Sequence, residues 1–316
     1  MFAICIESSH AKGMGHLFRM LNFSKYLQSK KQSFIFLIND NDKLKEILNS
    51  HQILCEVVNL EDLNSNWEAK IIKKYNVLFW INDRLDTDEK HSENIKNQNI
   101  KLITFDDLGS GAKYSDINIC GLFFNKNNLR GEKILKGVEY LILNDEIDQY
   151  KKERKSIKNI LVTLGGSDTY GVTINILKFL KKYDIKATIH IGASFKHYKE
   201  LEAELTDDYL TITYVSSLIE EFSKYDLAIT GGGITPFEAN TSGLPCLIIA
   251  NELFEIENGE FLDSLNSSKF IGYYEKIDES IFLNLDRLNI NFMSKNGLSL
   301  LNTQAVVRIY REIEKI

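Results

Sequence analysis

The feature of this sequence that most restricts its fold is a regular alternation of short apolar runs with segments of helical periodicity. The apolar runs of the first half are residues 2–6, 33–39, 77–81, 101–105 and 117–120. The helical segments between them are residues 17–30, 43–50, 66–75 and 88–97. Short, continuous apolar runs are typical of parallel strands that are covered on both faces. The alternation therefore predicts βαβ units and a doubly wound parallel sheet.

The alternation stops after Leu143, in the charged stretch NDEIDQYKKERKSIK, and starts again at Ile160. The later apolar runs are residues 160–163, 187–191, 210–214, 227–230 and 245–249, and the helical segments lie near 173–181, 198–205, 217–225 and 237–242. We therefore predict an α/β protein with two Rossmann-like domains, residues 1–150 and 151–316, and a cleft between them. By analogy with such architectures, the helical stretch 298–316 is expected to pack back on the first domain.

Composition and charge exclude several classes of protein. A net charge of −6 argues against a nucleic-acid-binding protein, because such proteins neutralise phosphates with a basic face. The N-terminus lacks the basic region of a signal peptide, and no stretch approaches the roughly 20 apolar residues of a membrane span, so we expect a cytoplasmic protein without an integral membrane segment. The four cysteines are scattered without metal-binding spacing, which predicts reduced core residues. The oligomeric state stays open.

The first of three glycine-rich turns is AKGMGHLFRM, directly after the first apolar run. Gly13 and Gly15 permit close approach of a ligand to the backbone, and free N–H groups at a helix start can hold an anion. The turn is not a dinucleotide fingerprint, because Phe18 takes the place of the third glycine. Two interpretations stay open: His16 acts on a ligand, or it caps a tight turn. Arg19 can likewise contact a sugar or pair with an acid, and the alternative is an ordinary surface ion pair of little energetic value.

The second turn, LVTLGGSDTYG, follows the first apolar run of the second domain. Gly165 and Gly166 are small enough to let a phosphate or a ribose approach the backbone. Ser167 and Asp168 can contact that ligand, or they can serve only as the N-cap of the next helix.

The third turn is LAITGGGITPFEANTSGLP. Three consecutive glycines, 231–233, cost backbone entropy, which favours a closely approaching pyrophosphate over a structural turn. Thr235 is placed to cap the following helix, and Pro236 suits its first position. Glu238 falls in the first helical turn, where the helix dipole stabilises an acid even without a ligand.

A fourth pattern, Asp40-Asn41-Asp42, matches the D-x-D motif of metal-dependent glycosyltransferases. It follows the second predicted strand, where acidic residues often cap the next helix. We therefore expect no metal site.

Together, the motifs G-M-G-H-L-F-R, G-G-S-D and G-G-G-I-T-P-F-E-A-N-T-S-G-L-P resemble the UDP-sugar hydrolases of pseudaminic acid biosynthesis, over roughly residues 1–275. That family has the GT-B fold, two Rossmann-like domains around a cleft, and is related to the glycosyltransferase that makes lipid II. The segment ITFDDLGSGAKYSD is similar to a branch of the family related to spore-coat polysaccharide proteins.

The resemblance implies a reaction and a set of binding residues. His16 would activate a water molecule to attack the anomeric carbon, releasing UDP with inversion and without a metal or cofactor. Glu238 would bind the ribose. The residues implied for the pyrophosphate are Gly232, Gly233, Ile234 and Thr235.

The sequence also departs from the family. After the fourth strand the family carries Asp-His or Ser-Tyr-Gly, whereas this chain has INDRLDTDE, in which Asn82 and Asp83 are our candidates for substrate contacts. The Asn-Gln pair that usually follows the last strand is here Asn251-Glu252.

The leading hypothesis is therefore a metal-independent hydrolase that releases UDP from a UDP-linked acetamido-deoxy sugar with inversion at C1, in nonulosonic acid or surface polysaccharide biosynthesis. The runner-up is an inverting GT-B glycosyltransferase, because the same histidine can deprotonate an acceptor hydroxyl. A third possibility is a catalytically lapsed protein that only binds a nucleotide sugar, which the changes around Asn82 favour. Fold alone does not separate these functions.

Overall fold

The computed structural model describes residues 1–7, 15–122, 128–192, 194–213, 215 and 217–316. The chain forms two compact units, the first made of Met1–Ile142 with Gln304–Ile316 and the second of Leu143–Thr303. The boundary therefore lies at 142/143, ahead of the expected 150/151. The charged stretch after Leu143 belongs to the second unit, where the fully buried Ile147 anchors a short 3₁₀ turn.

The first unit is built on a seven-stranded sheet with the order β3-β2-β1-β4-β5-β6-β7. Its strands are β1 (Phe2–Ile6), β2 (Phe34–Ile38), β3 (Cys55–Val57), β4 (Phe79–Asp83), β5 (Lys101–Phe105), β6 (Ile117–Cys120) and β7 (Lys133–Lys136). Its first helices are α1 (Gly15–Ser29), α2 (Asp42–Ser50), α3 (Trp67–Tyr75) and α4 (Glu89–Lys96). All its described strand pairs are parallel. The strand order reverses between β1 and β4, which is where open α/β sheets bind ligands.

Both faces of this sheet are covered, as the continuous apolar runs predicted. Successive side chains of a strand point to opposite faces. In β1, Phe2, Ile4 and Ile6 belong to the cluster that includes α1 and α2, whereas Ala3 and Cys5 belong to the cluster that includes α3.

The second unit repeats this plan with the strand order β10-β9-β8-β11-β12-β13-β14. Its strands are β8 (Ile160–Thr163), β9 (Ala187–His190), β10 (Tyr209–Ile212), β11 (Leu227–Gly231), β12 (Cys246–Ala250), β13 (Lys269–Tyr273) and β14 (Lys276–Ile277). Its helices are α5 (Val172–Lys182), α6 (Tyr198–Glu204), α7 (Leu218–Phe222), α8 (Thr235–Thr241), α9 (Glu255–Ser264), α10 (Ser280–Leu283) and α11 (Ile290–Leu300). Only β14 pairs antiparallel among its described strands. The fold class predicted from the alternation, two parallel-sheet Rossmann-like domains, is confirmed.

Every predicted strand lies within two residues of its observed bounds, but four strands were missed. They are β3, β7, β13 and β14, and all lie at or near the sheet edges. Edge strands carry less apolar sequence because one side is open to solvent. In β7, for example, Lys133 and Lys136 flank the two apolar residues.

The predicted C-terminal helix, 298–316, is two helices. After α11 the chain is extended at Leu301, and α12 (Ala305–Ile313) then begins. Helix α12 belongs to the first unit, where Ile309 and Ile313 are buried in the core and the ring of Tyr310 lies 5.4 Å from that of Tyr26. The last segment thus completes the core of the unit in which the chain begins.

Two further sequence expectations concern the state of the cysteines and the presence of a membrane segment. All four cysteines are free; Cys55 is half-buried and the others are buried. Across the described part of the chain, no helix combines the length and the apolar character that a membrane crossing requires.

We predict that Ile309→Ala lowers the free energy of unfolding by about 2–4 kcal/mol, because it opens a cavity between α12 and the sheet. The measurement is urea denaturation followed by circular dichroism. Arg311→Ala, at an exposed position of the same helix, is the control and should change stability by no more than about 0.5 kcal/mol. Equal stability of both variants would show that α12 does not hold the first unit together.

Candidate functional site

A buried network of charged side chains lies at the carboxyl edge of the first sheet. His16 and Arg19 are three residues apart on α1, so they share one face of the helix. Asp83 ends β4, and Asp106 directly follows β5. The Nδ1 atom of His16 lies 2.6 Å from Oδ1 of Asp83. Arg19 donates from Nε to Oδ2 of Asp83 at 2.8 Å and also pairs with Asp106.

The charges of this network stabilise one another. The side chain of Asp83 is fully buried, and those of Arg19 and Asp106 are nearly so. Burial alone would raise the pKa of Asp83, but Arg19 and His16 outweigh it and hold that pKa below its usual value. Burial opposes the charge of Arg19, yet the two aspartates hold its pKa above the ordinary value. In the neutral tautomer of His16 that donates Nδ1–H to an ionised Asp83, the lone pair of the imidazole is on Nε2.

The network bears on the interpretations left open for the first turn. His16 is the second residue of α1 and bonds to Asp83, which is not a capping contact, and its action on a ligand stays a prediction. Arg19 pairs with acidic side chains, but the pair is buried instead of lying at the surface, because Arg19 is only 8% exposed. Its contact with a sugar stays a prediction. Gly15 is exposed, with no atom within 4 Å of the position a Cβ would take. Gly13 lies outside the described residues, so its contact with a ligand stays a prediction.

The substrate contacts predicted for Asn82 and Asp83 need correction. Asp83 is turned inward, with both carboxylate oxygens engaged by His16 and Arg19. Asn82 points to the opposite face of the sheet, as the neighbour of Asp83 in a strand must. Its side chain is fully buried, and its Oδ1 accepts a hydrogen bond from Nε1 of Trp80 at 2.8 Å. Both residues therefore act inside the first unit.

The D-x-D pattern has a structural explanation. Asn41 is the N-cap of α2, where its side chain accepts a hydrogen bond from the Leu44 N–H at 3.2 Å. Asp40 and Asp42 both pair with Lys45. Among the residues that the structure describes, no group of three His, Cys, Asp or Glu side chains is arranged to hold a metal ion.

The second unit contains a cavity of about 230 Å³ at the carboxyl ends of β8, β11 and β12. Its walls come from three turns, which contribute residues 164–170, then Gly231, Gly233 and Thr235, and then Asn251, Glu252 and Glu255. Two of these turns are the second and third glycine-rich turns of the sequence. The remaining turn follows β12 and includes the Asn251-Glu252 pair that departs from the family.

The second glycine-rich turn faces this cavity. Gly165 has a φ of +89°, and no atom lies within 4 Å of a Cβ built on Gly165 or Gly166. The turn depends on Gly192, because a Cβ there would come within 2.5 Å of the carbonyl oxygens of both glycines. Sequence analysis did not single out Gly192, although it follows a predicted strand directly.

Both carboxylate oxygens of Asp168 are engaged by the backbone, although the residue lines the cavity. Its Oδ1 accepts a hydrogen bond from the Val172 N–H at 2.8 Å and its Oδ2 accepts one from the Thr173 N–H at 2.9 Å. It therefore caps the start of α5, which was the alternative to nucleotide binding, and only 5% of it is exposed. Ser167 is exposed and bonds to the hydroxyl of Thr169 at 3.0 Å, so its contact with a nucleotide stays a prediction.

The third glycine-rich turn serves the protein's own packing as well as the cavity. A Cβ on Gly231 would lie 2.9 Å from Nδ2 of Asn251, and one on Gly232 would lie 2.7 Å from Cβ of Glu255. Two of the three glycines are thus required by the neighbouring turn, and not by a ligand alone. Gly233 lines the cavity directly.

Helix α8 begins at Thr235, with Ile234 in the N-cap position and no side-chain cap. The predicted capping role of Thr235 is therefore wrong, and its side chain lines the cavity instead. Glu238 is half-buried on the same helix, and burial raises the pKa of its carboxyl group to about 7.

A carboxylate that sequence analysis missed belongs to Glu255, the first residue of α9. Its Oε2 accepts hydrogen bonds from the backbone N–H groups of Asn251 at 2.7 Å, Gly232 at 3.3 Å and Glu252 at 3.4 Å. At the rim, Tyr170 donates to Glu252 at 3.0 Å, and its ring stacks on Tyr274 at 4.1 Å. Among the described residues that line the cavity, none is Lys, Arg or His.

The chain is similar to two curated proteins along nearly its whole length, although no protein-family model matches it. The uncharacterized protein MJ1062 of Methanocaldococcus jannaschii is 27% identical over 334 aligned positions, covering 98% of this chain. The chain spans 66% of that protein's own length. The spore coat polysaccharide biosynthesis protein SpsG of Bacillus subtilis is 24% identical over 328 positions, covering 97% of this chain and 95% of SpsG. The resemblance to spore-coat polysaccharide proteins is thus confirmed.

Solved structures are also similar to the chain. MurG of Acinetobacter baumannii matches with a TM-score of 0.72 and 13% identity, over 100% of this chain and 99% of that one. Anabaena Alr3699/HepE, solved with UDP, matches with a TM-score of 0.71, 12% identity and the same coverage. A glycosyltransferase of Rickettsia africae matches with a TM-score of 0.69 and 14% identity, over 99% and 98% of the two chains. These similarities show that the chain has the GT-B fold, as predicted.

We predict that Glu238→Gln stabilises the protein in alkaline solution. A carboxyl group whose pKa rises on folding, here from 4.5 to about 7, contributes stability below pH 4.5 that is lost as the pH rises through 7. A glutamine at position 238 does not ionise, so the variant does not lose stability as the pH rises. Because part of the side chain is accessible, we expect a gain of about 1–2 kcal/mol at pH 8 and none near pH 4. Thermal unfolding across this pH range is the measurement, and a pH-independent difference would contradict the assignment.

Proposed function

We propose that the protein releases UDP from a UDP-linked acetamido-deoxy sugar by hydrolysis, with inversion at C1, in polysaccharide biosynthesis. The observation that carries this proposal is the buried Asp83 carboxylate, which lies 2.6 Å from Nδ1 of His16 and so orients the imidazole for use as a base through Nε2. The GT-B fold, the similarity to SpsG and the cavity in the second unit support it.

The proposed place of the nucleotide is the cavity of the second unit. A volume of about 230 Å³ is below the roughly 300–1,000 Å³ of pockets for drug-sized ligands, so it suits a diphosphate and the adjoining ribose. Backbone N–H groups of the Gly165–Gly166 turn and of Gly233 are our candidates for the phosphates. The Thr235 hydroxyl can add a hydrogen bond, and Glu238 can accept hydrogen bonds from the ribose hydroxyls once it is ionised.

The proposed reaction needs no group beyond these side chains and backbone amides. Nε2 of His16 takes a proton from water while the water oxygen forms a bond to C1. The bond between C1 and the diphosphate oxygen breaks, and UDP leaves with the electron pair. Fixed N–H donors stabilise the charge that develops on the diphosphate. Arg19 is a positioning residue in this step, because it keeps Asp83 ionised and oriented.

An inverting glycosyltransferase is the second candidate. The same nitrogen of His16 can deprotonate a sugar hydroxyl in place of water, and a glycosyltransferase of Rickettsia africae has the same fold. The intact pair of His16 and Asp83 argues against the third possibility, a lapsed protein that only binds.

The functional test is to incubate the purified protein with UDP-, GDP- and CMP-sugars, each with and without acceptor sugars, and to follow free nucleotide by chromatography. We expect UDP release that is independent of an acceptor. Release only with an acceptor would establish the transferase instead, and binding without turnover would establish the lapsed protein.

We further predict that His16→Gln lowers kcat by about 10²–10⁴-fold, the usual contribution of a general base. The dissociation constant of UDP should change less than about twofold, because the proposed nucleotide pocket lies in the second unit. The control is His51→Gln, an exposed histidine of the first unit. Turnover by His16→Gln at the rate of the control would rule out His16 as the base.

A further inference from the structure

The cavity of the second unit already contains an anionic group of its own. The Oε2 atom of Glu255 accepts hydrogen bonds from backbone N–H groups of two different turns. Asn251 and Glu252 belong to its own turn, and Gly232 belongs to the turn that follows β11. Backbone N–H groups that converge at the ends of parallel strands are a common binding site for phosphate. The carboxylate thus occupies donors of the kind that hold phosphates in other proteins.

Helix capping does not explain this arrangement. In a capping box, a glutamate of the first turn bonds to the N–H of the capping residue, which is Phe254 here, whereas Glu255 bonds to Asn251 and Glu252 before it. The bond to Gly232 reaches further, since it joins α9 to the end of another strand. The missing Cβ of Gly232 matters here, because that atom would lie 2.7 Å from Cβ of Glu255.

The charge of Glu255 has little compensation. Burial raises the pKa of its carboxyl group, the three N–H groups partly oppose that rise, and the nearby charge of Glu252 adds to it. The described lining of the cavity supplies no basic side chain. Any phosphate that enters must therefore approach a like charge, and it finds the N–H groups of Gly232, Asn251 and Glu252 already engaged.

We propose that Glu255 is a specificity-determining residue, which makes the pocket prefer a sugar-linked diphosphate to the free nucleoside diphosphate. This inference rests on the proposed function. A free diphosphate has an additional ionisable oxygen with a pKa near 6, which is esterified in the nucleotide sugar. The free product thus carries more negative charge, and repulsion grows with the product of the charges. Glu255 therefore weakens binding of the product more than binding of the substrate and promotes product release.

The test is isothermal titration calorimetry of UDP and of UDP-N-acetylglucosamine with the wild type, Glu255→Gln and Glu260→Gln. Glu260 is the matched control, because it is an exposed glutamate of the same helix and its substitution changes the net charge equally. At a pH of about 8, where the terminal phosphate is ionised, we expect Glu255→Gln to bind UDP about tenfold more tightly than the control. The affinity of Glu255→Gln for UDP-N-acetylglucosamine should exceed that of the control by no more than about threefold.

A second variant separates charge from folding. Glu255→Asp keeps the charge and should bind UDP as weakly as the wild type, whereas general damage to α9 would weaken binding in both Glu255 variants. Thermal unfolding of each variant verifies that it is folded. UDP binding by Glu255→Gln that is unchanged or weaker, or an equal gain for the two ligands, would overturn the inference.

A failure of the proposed function can be distinguished from a failure of this inference. If neither nucleotide binds the wild type or the control, the UDP pocket is wrong, and inorganic pyrophosphate then probes the N–H donors alone. Tighter pyrophosphate binding by Glu255→Gln than by Glu260→Gln would still support the competition between carboxylate and phosphate. Equal binding by the two variants, or none, would overturn it.

Discussion

The ion pair between Arg19 and Asp83 is the interaction on which the first unit's chemistry depends. A carboxylate with no exposure is costly to ionise unless a partner compensates it, and leaving one member of a buried pair alone costs about 3–5 kcal/mol. Arg19 supplies that compensation and is itself held by Asp106. Arg19 and His16 share one face of α1. The ion pair between Arg19 and Asp83 therefore also fixes the position of the carboxylate that holds the imidazole of His16.

The two units place opposite chemistry at equivalent positions. At the carboxyl edge of the first sheet, side chains carry the charges and neutralise one another within the network. At the carboxyl edge of the second, the donors are backbone N–H groups, and the nearby side chains Glu252 and Glu255 are acidic. A proton acceptor needs a well-oriented side chain, whereas a diphosphate can be held by main-chain donors that carry no full charge.

Much of this fold could be predicted from the sequence, because buried parallel strands consist of continuous apolar residues. Most edge strands lack such runs and were missed. The site was harder to predict, since its key contacts join residues far apart in the chain. Arg19 and Asp83 are 64 positions apart, so nothing local showed that Arg19 is buried. Asp168 was recognised as a possible cap, but only geometry could choose between its two roles. The glycines at 231 and 232 were attributed to a ligand, whereas they also make room for Asn251 and Glu255, which the sequence could not place.

The position of α12 has a consequence for how the molecule is made. The second unit, Leu143–Thr303, is inserted between two parts of the first, and Ile309 and Ile313 come from the later part. During synthesis from the N-terminus, the inserted unit is therefore complete before the first unit has all of its interior. Until α12 emerges, the sheet that carries Asp83 lacks one of the helices that cover it, and the nascent chain has apolar surface to protect.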